Sequence, residues 1–317
     1  MHDLTRVLTR SIEQVAAPGQ IRYTRRQLYY EMCRTLHLPP GLTNQTASWS
    51  LAAGIVLITP ALLGQPRRAV RLAALHTLLV GGLRLVRMAP FTLTPPLEYA
   101  RFAELLQAYT DRWGTPPGLL TTTEPPQFRP VGDAPDLTDY GVPRLLICQN
   151  AEIAGMLLAN LFHIETSCAV LNLAAATPLP DALRAMLLRT PTAGVYLLHD
   201  AGAEGVALAN QVRAHLELPD TIALISIGLR PAHALRLHLF ATRTPASMVA
   251  VHDWPAALTP HERTWLHGGW CAEVAAVKPA RLLLALRRIV LDLVPPPRRL
   301  PDWRRERAGG FMTWPTG

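Results

Sequence analysis

The stretch Arg144-Leu145-Leu146-Ile147-Cys148-Gln149-Asn150 couples a short, continuously apolar run to two polar residues. An apolar run of this length without polar alternation is the pattern of a strand buried on both faces. Asn150 suits the N-cap of a helix over 151–162. The same grammar continues downstream: a strand at Ala169–Leu173, a helix at 181–189, a strand at Gly194–Leu198, a helix at 203–216 and a strand at Ile222–Ile227. This succession predicts an α/β fold with a parallel sheet flanked by helices. Chemistry in such sheets collects at the C-terminal ends of the strands, which here carry Gln149-Asn150 and His199-Asp200-Ala201-Gly202. Asp200 reads either as the N-cap of the 203–216 helix, the simpler role, or as a metal ligand; His199 reads as a turn histidine.

Upstream, residues 115–136 are rich in Pro, Thr and Gly and predict a linker. The boundaries that follow are 1–114, a linker at 115–139, 140–295 and a basic tail at 296–317 carrying Trp303 and Trp314. The first segment opens with an amphipathic helix over 3–17, stopped by Ala17-Pro18-Gly19, and a second helix that runs to Pro39-Pro40-Gly41. That second helix contains Thr24-Arg25-Arg26-Gln27-Leu28-Tyr29-Tyr30, with Thr24 placed as N-cap. At about 100° per residue, Leu28, Met32 and Leu36 share one face, while Arg26, Tyr30, Cys33 and His37 share the opposite one. The pattern predicts an apolar stripe docked in a core and an outward Arg/Tyr pair able to hold a phosphate. A helix, a turn and a second helix with a basic face is how winged-helix and helix-turn-helix modules begin.

The formal charge of +8 and a pI near 9.8 favour an anionic partner. Lys278 is the only lysine, so phosphate contacts would fall to arginine, which suits bidentate binding. Residues 32–97 contain no acid and include Arg34, Arg67, Arg68, Arg71, Arg84 and Arg87. This region reads as helical filler with snorkelling arginines or as a basic wall along a nucleic-acid backbone, and less well as a membrane-surface helix. Cys33, Cys148, Cys168 and Cys271 form no CxxC pair, and the histidines lack HxxxH or HExxH spacing, which argues against a zinc site or a disulfide framework. With no apolar signal core at the start, a cytoplasmic location is expected. The longest apolar run, Leu51 to Gly64, is short for a membrane span and contains Pro60. A single lysine outside any Gly-x-x-x-x-Gly-Lys-Ser/Thr context excludes a P-loop.

Thr24-Arg25-Arg26-Gln27-Leu28-Tyr29-Tyr30 resembles the Ser/Thr-x-Arg-Asp-Ile-Tyr-Tyr motif of one superfamily: the A subunit of type VI DNA topoisomerase, its meiotic double-strand-break relatives and the nuclease subunit of Wadjet-type plasmid defence. Leu145-Leu146-Ile147-Cys148-Gln149-Asn150 and Leu198-His199-Asp200-Ala201-Gly202-Ala203-Glu204-Gly205 resemble that superfamily's Toprim segments ending in Glu-Asn and carrying Asp-x-Asp-Pro-x-Gly. Ile227-Gly228-Leu229-Arg230-Pro231 and Cys271-Ala272-Glu273-Val274-Ala275-Ala276-Val277-Lys278-Pro279 are similar to its Gly-Leu-x-Pro and Glu-x-x-Ala-Leu-x-Pro elements. The likeness touches residues 5–38 and 140–295 and leaves 40–135 unaligned.

The resemblance implies a winged-helix-like DNA-binding region followed by a Toprim-like domain. It implies Tyr30 as nucleophile, Arg26 as phosphate holder and Mg²⁺ at the positions of Asp200 and Gln149, with Glu152 or Glu204 as the acid that would stand in. The basic residues Arg22, Arg25, Arg34, Arg67 and Arg68 are the candidate DNA contacts. The resemblance also implies duplex DNA as ligand, a homodimer, and a separate ATPase or SMC-like partner. Gln149 and Gly202 stand where the family carries acids, and a hard cation needs anionic oxygens, so weak Mg²⁺ binding and impaired cleavage are expected. Three readings follow: a DNA-binding relative of the topoisomerase subunit that can form a 5′-phosphotyrosyl link, a silent scaffold subunit of a repair, recombination or plasmid-defence complex, and a peripheral membrane protein.

Overall fold

The computed structural model describes residues 2–16, 21–37, 92–121, 144–174, 176, 178–190, 193–244 and 254–291. Its centre is a four-stranded sheet built from β1 (Arg144–Cys148), β2 (Cys168–Asn172), β3 (Gly194–Leu198) and β4 (Ala223–Ser226). The strand order is β2-β1-β3-β4 and every pairing is parallel. Alternation along β1 sends Leu146 and Cys148 to one face and Leu145 and Ile147 to the other, and each face feeds its own core. Both faces are covered, which explains the unbroken apolar runs at 145–148 in β1 and 195–198 in β3.

The crossovers are helical. After β1 come α4 (Ala151–Ala159) and the single turn α5 (Phe162–Thr166); α6 (Asp181–Arg189) follows β2, and α7 (Ala203–His215) follows β3. Asn150 caps α4 as expected, its Oδ1 accepting from the amides of Glu152 and Ile153 at 2.8 and 3.4 Å. The helix expected over 151–162 breaks at Leu161, which holds a left-handed φ of 57°. Asn160 is tied by its side chain to the backbone of Arg22, so a tertiary contact fixes this break.

The N-terminal segment supplies α1 (His2–Ala16), α2 (Arg25–His37) and α3 (Tyr99–Trp113). Tyr23 bridges Leu119, with the Tyr23 amide donating to Gly118 and the Leu120 amide donating to Tyr23. Residues 118–120, inside the span 115–139 expected as a linker, therefore pair with Tyr23, and residues 122–139 of that span lie outside the described residues. The rest of the winged-helix expectation, the acid-free stretch up to residue 91 and the basic tail also lie outside them.

The last described part holds α8 (Pro231–Arg236), the small antiparallel pair β5 (Thr242–Arg243) and β6 (Trp270–Cys271), α9 (Pro260–His267), a 3₁₀ turn at Val274–Ala276 and α10 (Pro279–Leu291). Ala201 and Ala272 exchange two hydrogen bonds, which pins the 270–278 segment beside the sheet's C-terminal edge. The same segment packs on α2. Among the described residues, no helix is long and apolar enough to cross a membrane.

Candidate functional site

α2 begins with a reciprocal cap: Thr24 Oγ1 accepts the Gln27 amide at 3.1 Å and Gln27 Oε1 accepts the Thr24 amide at 2.9 Å. A capping box takes Glu or Gln at its third position, which accounts for Gln27 where the resemblance expects an acid. The cap fixes the direction in which the next turns project Arg26 and Tyr30.

Tyr30 does not face outward. Its ring is 0 % exposed, stacked on Phe240 at 6.3 Å between centroids and 5.0 Å from the ring of Tyr29. Cys33, on the same face, is equally buried, as are Leu28 and Met32 opposite. The amphipathic reading assumed that one face meets solvent; α2 instead lies between α1 and the 270–278 segment, with Phe102 and Phe240 in the same core. Burial pushes the Tyr30 phenol far above its usual range, and Glu273 adds to this. A phenolate nucleophile is what that environment disfavours most.

Arg26 is 36 % exposed. Its guanidinium lies 4.4 Å over the Tyr99 ring, and Nη1 is 3.1 Å from Glu273 Oε1. Burial raises the Glu273 carboxyl against the pull of Arg26. The Tyr30 hydroxyl faces Glu273, yet neither that hydroxyl nor Glu273 Oε2 closes a well-formed hydrogen bond. Glu152 Oε2 is likewise buried and unmatched. The sequence thus brings the Arg26/Tyr30 pair to the sheet edge, with Glu273 and Tyr99 as companions that site-spotting missed. The one signal for Glu273 was its place in the late Glu-x-x-Ala motif.

At the strand ends, Asp200 is not the cap of α7; that position is Gly202, which offers no side chain. Asp200 Oδ1 instead accepts the Val274 amide at 2.6 Å. Burial lifts its carboxyl to about 6, the Val274 bond works against this, and Glu273 adds to it. Gln149 Oε1 accepts the Asp200 amide at 2.9 Å, so Gln149 ties the end of β1 to the end of β3 while Asp200 ties β3 to the 270–278 segment. A Cβ at Gly202 would come within 2.7 Å of Cys271 Sγ, so this position, where the resemblance expects an acid, has no room for a side chain. Glu204 is exposed on the first turn of α7.

Asp200 Oδ1 and Gln149 Oε1 each already accept a backbone amide, and among the described residues no group of three or more His, Cys, Asp or Glu is placed to hold a metal ion.

His199 is satisfied as a turn histidine. Its Nδ1 lies 2.9 Å from the Asp200 carbonyl, which only accepts, so Nδ1 carries the proton and Nε2 accepts from Ser226 Oγ at 2.9 Å. Burial lowers its pKa, consistent with a neutral ring. A Cβ on Gly228 would come within 2.3 Å of that ring, so the imidazole rests on bare backbone.

The arginines expected to contact DNA differ in surroundings. Arg22 and Arg25 are exposed, and neither joins an ion pair among the described residues. Arg34 is structural: Nε and Nη2 bind Glu31 Oε2 at 2.8 and 2.6 Å, and Nη1 donates to the Ala276 carbonyl at 2.7 Å. Lys278 Nζ takes the other Glu31 oxygen at 2.9 Å. Arg67 and Arg68 lie outside the described residues.

No protein-family model, curated protein or solved structure matches the chain.

Proposed function

We propose that the chain is a double-stranded-DNA-binding scaffold, similar in plan to the topoisomerase VI A subunit, in which the Tyr30 cluster holds the protein together and cleaves nothing. The observation that carries the silent part is the burial of Tyr30: a phosphodiester cannot reach a hydroxyl enclosed by Tyr29, Phe240 and Glu273. The binding part rests on the overall charge of +8 and on Arg22 and Arg25, exposed around the start of α2. Backbone amides at a helix start and unpaired arginines together favour phosphate.

Duplex affinity measured at two salt concentrations, for wild type and for Arg22→Ala/Arg25→Ala, tests the binding. Wild type should lose affinity steeply with salt, and the double variant should show a log–log slope shallower by about 2. Salt-independent binding, or none, removes DNA from the reading. A denaturing gel after incubation with duplex and Mg²⁺ or Mn²⁺ tests the silence. No SDS-resistant adduct is expected; an adduct given by wild type and absent in Tyr30→Phe restores the transesterase.

A further inference from the structure

Six large apolar side chains stand exposed among the described residues: Trp113 and Leu188 lie on other elements, and the other four belong to α5, with the residue before it, and to α10. Leu161 is 55 % exposed and Ile164 65 %, and on α10 Leu284 and Leu291 are 38 % and 47 % exposed. The two helices pack together, and Arg287 of α10 pairs with Glu165 of α5. That ion pair fixes the geometry of the face. Leu161 lies one turn before Glu165, while Leu284 and Leu291 flank Arg287 at helical spacings of three and four. On α10, Arg287, Ala280, Leu291, Leu284, Arg288 and Arg281 occupy one arc of about 120° in that order, and the other side chains turn away from it. The result is a two-helix apolar strip, stitched along its middle by Arg287–Glu165 and rimmed on its outer side by exposed Arg281 and Arg288.

Leu161 and Ser167, the residues bracketing α5, both sit in the left-handed region at φ 57° and 47°, and neither is a glycine. The tie between Asn160 and Arg22 accounts for the turn at Leu161, whose side chain nonetheless stays in water.

We infer that this face docks an acidic amphipathic helix of a partner protein. Leu284 and Leu291 are two turns apart, the repeat with which a helix in a groove presents its anchors. The free arginines on the rim call for carboxylates beside those anchors. A second copy fits poorly, because a two-fold contact would set Arg281 and Arg288 against their own likenesses. A lipid surface fits poorly because the Glu165–Arg287 pair would enter the apolar layer with the leucines. A phosphate backbone fits poorly because the centre of the face is apolar. This inference rests on the scaffold part of the proposed function and names the kind of partner such a scaffold takes.

The test uses the full chain and two synthetic helices of about 21 residues, three heptads with a leucine stripe. One is flanked by glutamate and the other by lysine, and each is followed by fluorescence anisotropy. The glutamate helix should bind at least about tenfold more tightly than the lysine helix, and Ile164→Glu should weaken it by about tenfold or more. Arg281→Glu/Arg288→Glu, confined to exposed positions, should reverse the preference toward the lysine helix. Absence of binding, or binding indifferent to both variants, overturns the inference. So does a wild-type dimer in sedimentation, or co-sedimentation with anionic vesicles, that Ile164→Glu abolishes, since these give the face to a second copy or to lipid. Duplex affinity should be the same in wild type and Ile164→Glu, so failure of the helix probe leaves the DNA reading untouched, and failure of DNA binding leaves this one untouched.

Discussion

Two acid–base clusters hang from α2, and they behave as opposites. Near its C-terminal end, Glu31 gives one oxygen to Arg34 and the other to Lys278, while Arg34 also reaches the Ala276 carbonyl. Near its N-terminal end, Arg26 meets Glu273, but the Tyr30 hydroxyl, Glu273 Oε2 and Glu152 Oε2 stay unmatched, and Asp200 sits close by as a further acid. The first cluster is a closed staple between the N-terminal helix and the 270–278 segment. The second holds more acid than base and has one half-exposed cation. Position in an active-site-like constellation is thus not the same as catalytic fitness: the buried phenol and the committed carboxylate of the second cluster serve cohesion, and they do so imperfectly.

Removing the keystone of the staple should show the largest effect. Glu31→Ala leaves Arg34 and Lys278 facing each other without their acid and should cost about 3 kcal/mol in urea unfolding. A loss below about 1 kcal/mol would erase the distinction between the clusters. Next comes Asp200→Asn, which keeps the Oδ1 acceptor for Val274 and removes the buried charge. It should raise stability at pH 8 by on the order of 2 kcal/mol, a gain that vanishes below about pH 4.

The two clusters should also answer acid with opposite signs. Asp200 has a folded-state pKa of about 6, above its ordinary 3.8, so the native state takes up its proton first and this contribution to stability grows as pH falls through that window. For Glu31, burial works to raise the carboxyl, but Arg34 and Lys278 overcome it and hold the pKa below 4.5. Its contribution is present above that value and is lost as pH falls beneath it. The buried imidazoles of His199 and His233, whose pKa values burial lowers, subtract stability across the same range in every variant, so the contrast is read as variant minus wild type from pH 8 to pH 3. The Asp200→Asn advantage should shrink toward zero as pH falls to about 4, and the Glu31→Ala deficit should shrink only below about pH 4.5. Two difference profiles that change in the same pH window would break the contrast.

The smallest effect is the sharpest discriminator. Tyr30→Phe deletes a buried hydroxyl that closes no well-formed bond, so stability should stay within about 1 kcal/mol and move upward if at all. A loss above about 2 kcal/mol would mean that the hydroxyl is firmly held by Glu273 and that the second cluster is closed as well.

Much of the sheet was legible because buried parallel strands advertise themselves as unbroken apolar runs. β1, β3 and α6 fall at the expected residues, and β2, β4 and α7 shift by a residue or so at their ends. Thr24 and Asn150 were legible as caps because capping is local chemistry. The exposure of Tyr30 was not, since a helical wheel gives angular neighbours but not how many faces a helix will have covered. Nor were the true roles of Asp200 and Arg34, whose partners Val274 and Ala276 are remote in sequence. The break at Leu161 carried no glycine or proline to announce it, and Glu273 became visible as a site residue only when the 270–278 segment was placed against α2.

The staple spans almost the whole polypeptide: Glu31 finds Lys278 across 247 positions, and Arg34 finds Ala276 across 242. At ribosomal speeds of about 5–20 residues per second, roughly 12 to 50 s separate the making of α2 from the making of its mate. α2 is therefore made long before it gains its native surroundings. During that interval Leu28, Tyr29, Tyr30 and Met32 are available to chaperones, and a nascent chain arrested before Lys278 should be held by them more strongly than one released just after it.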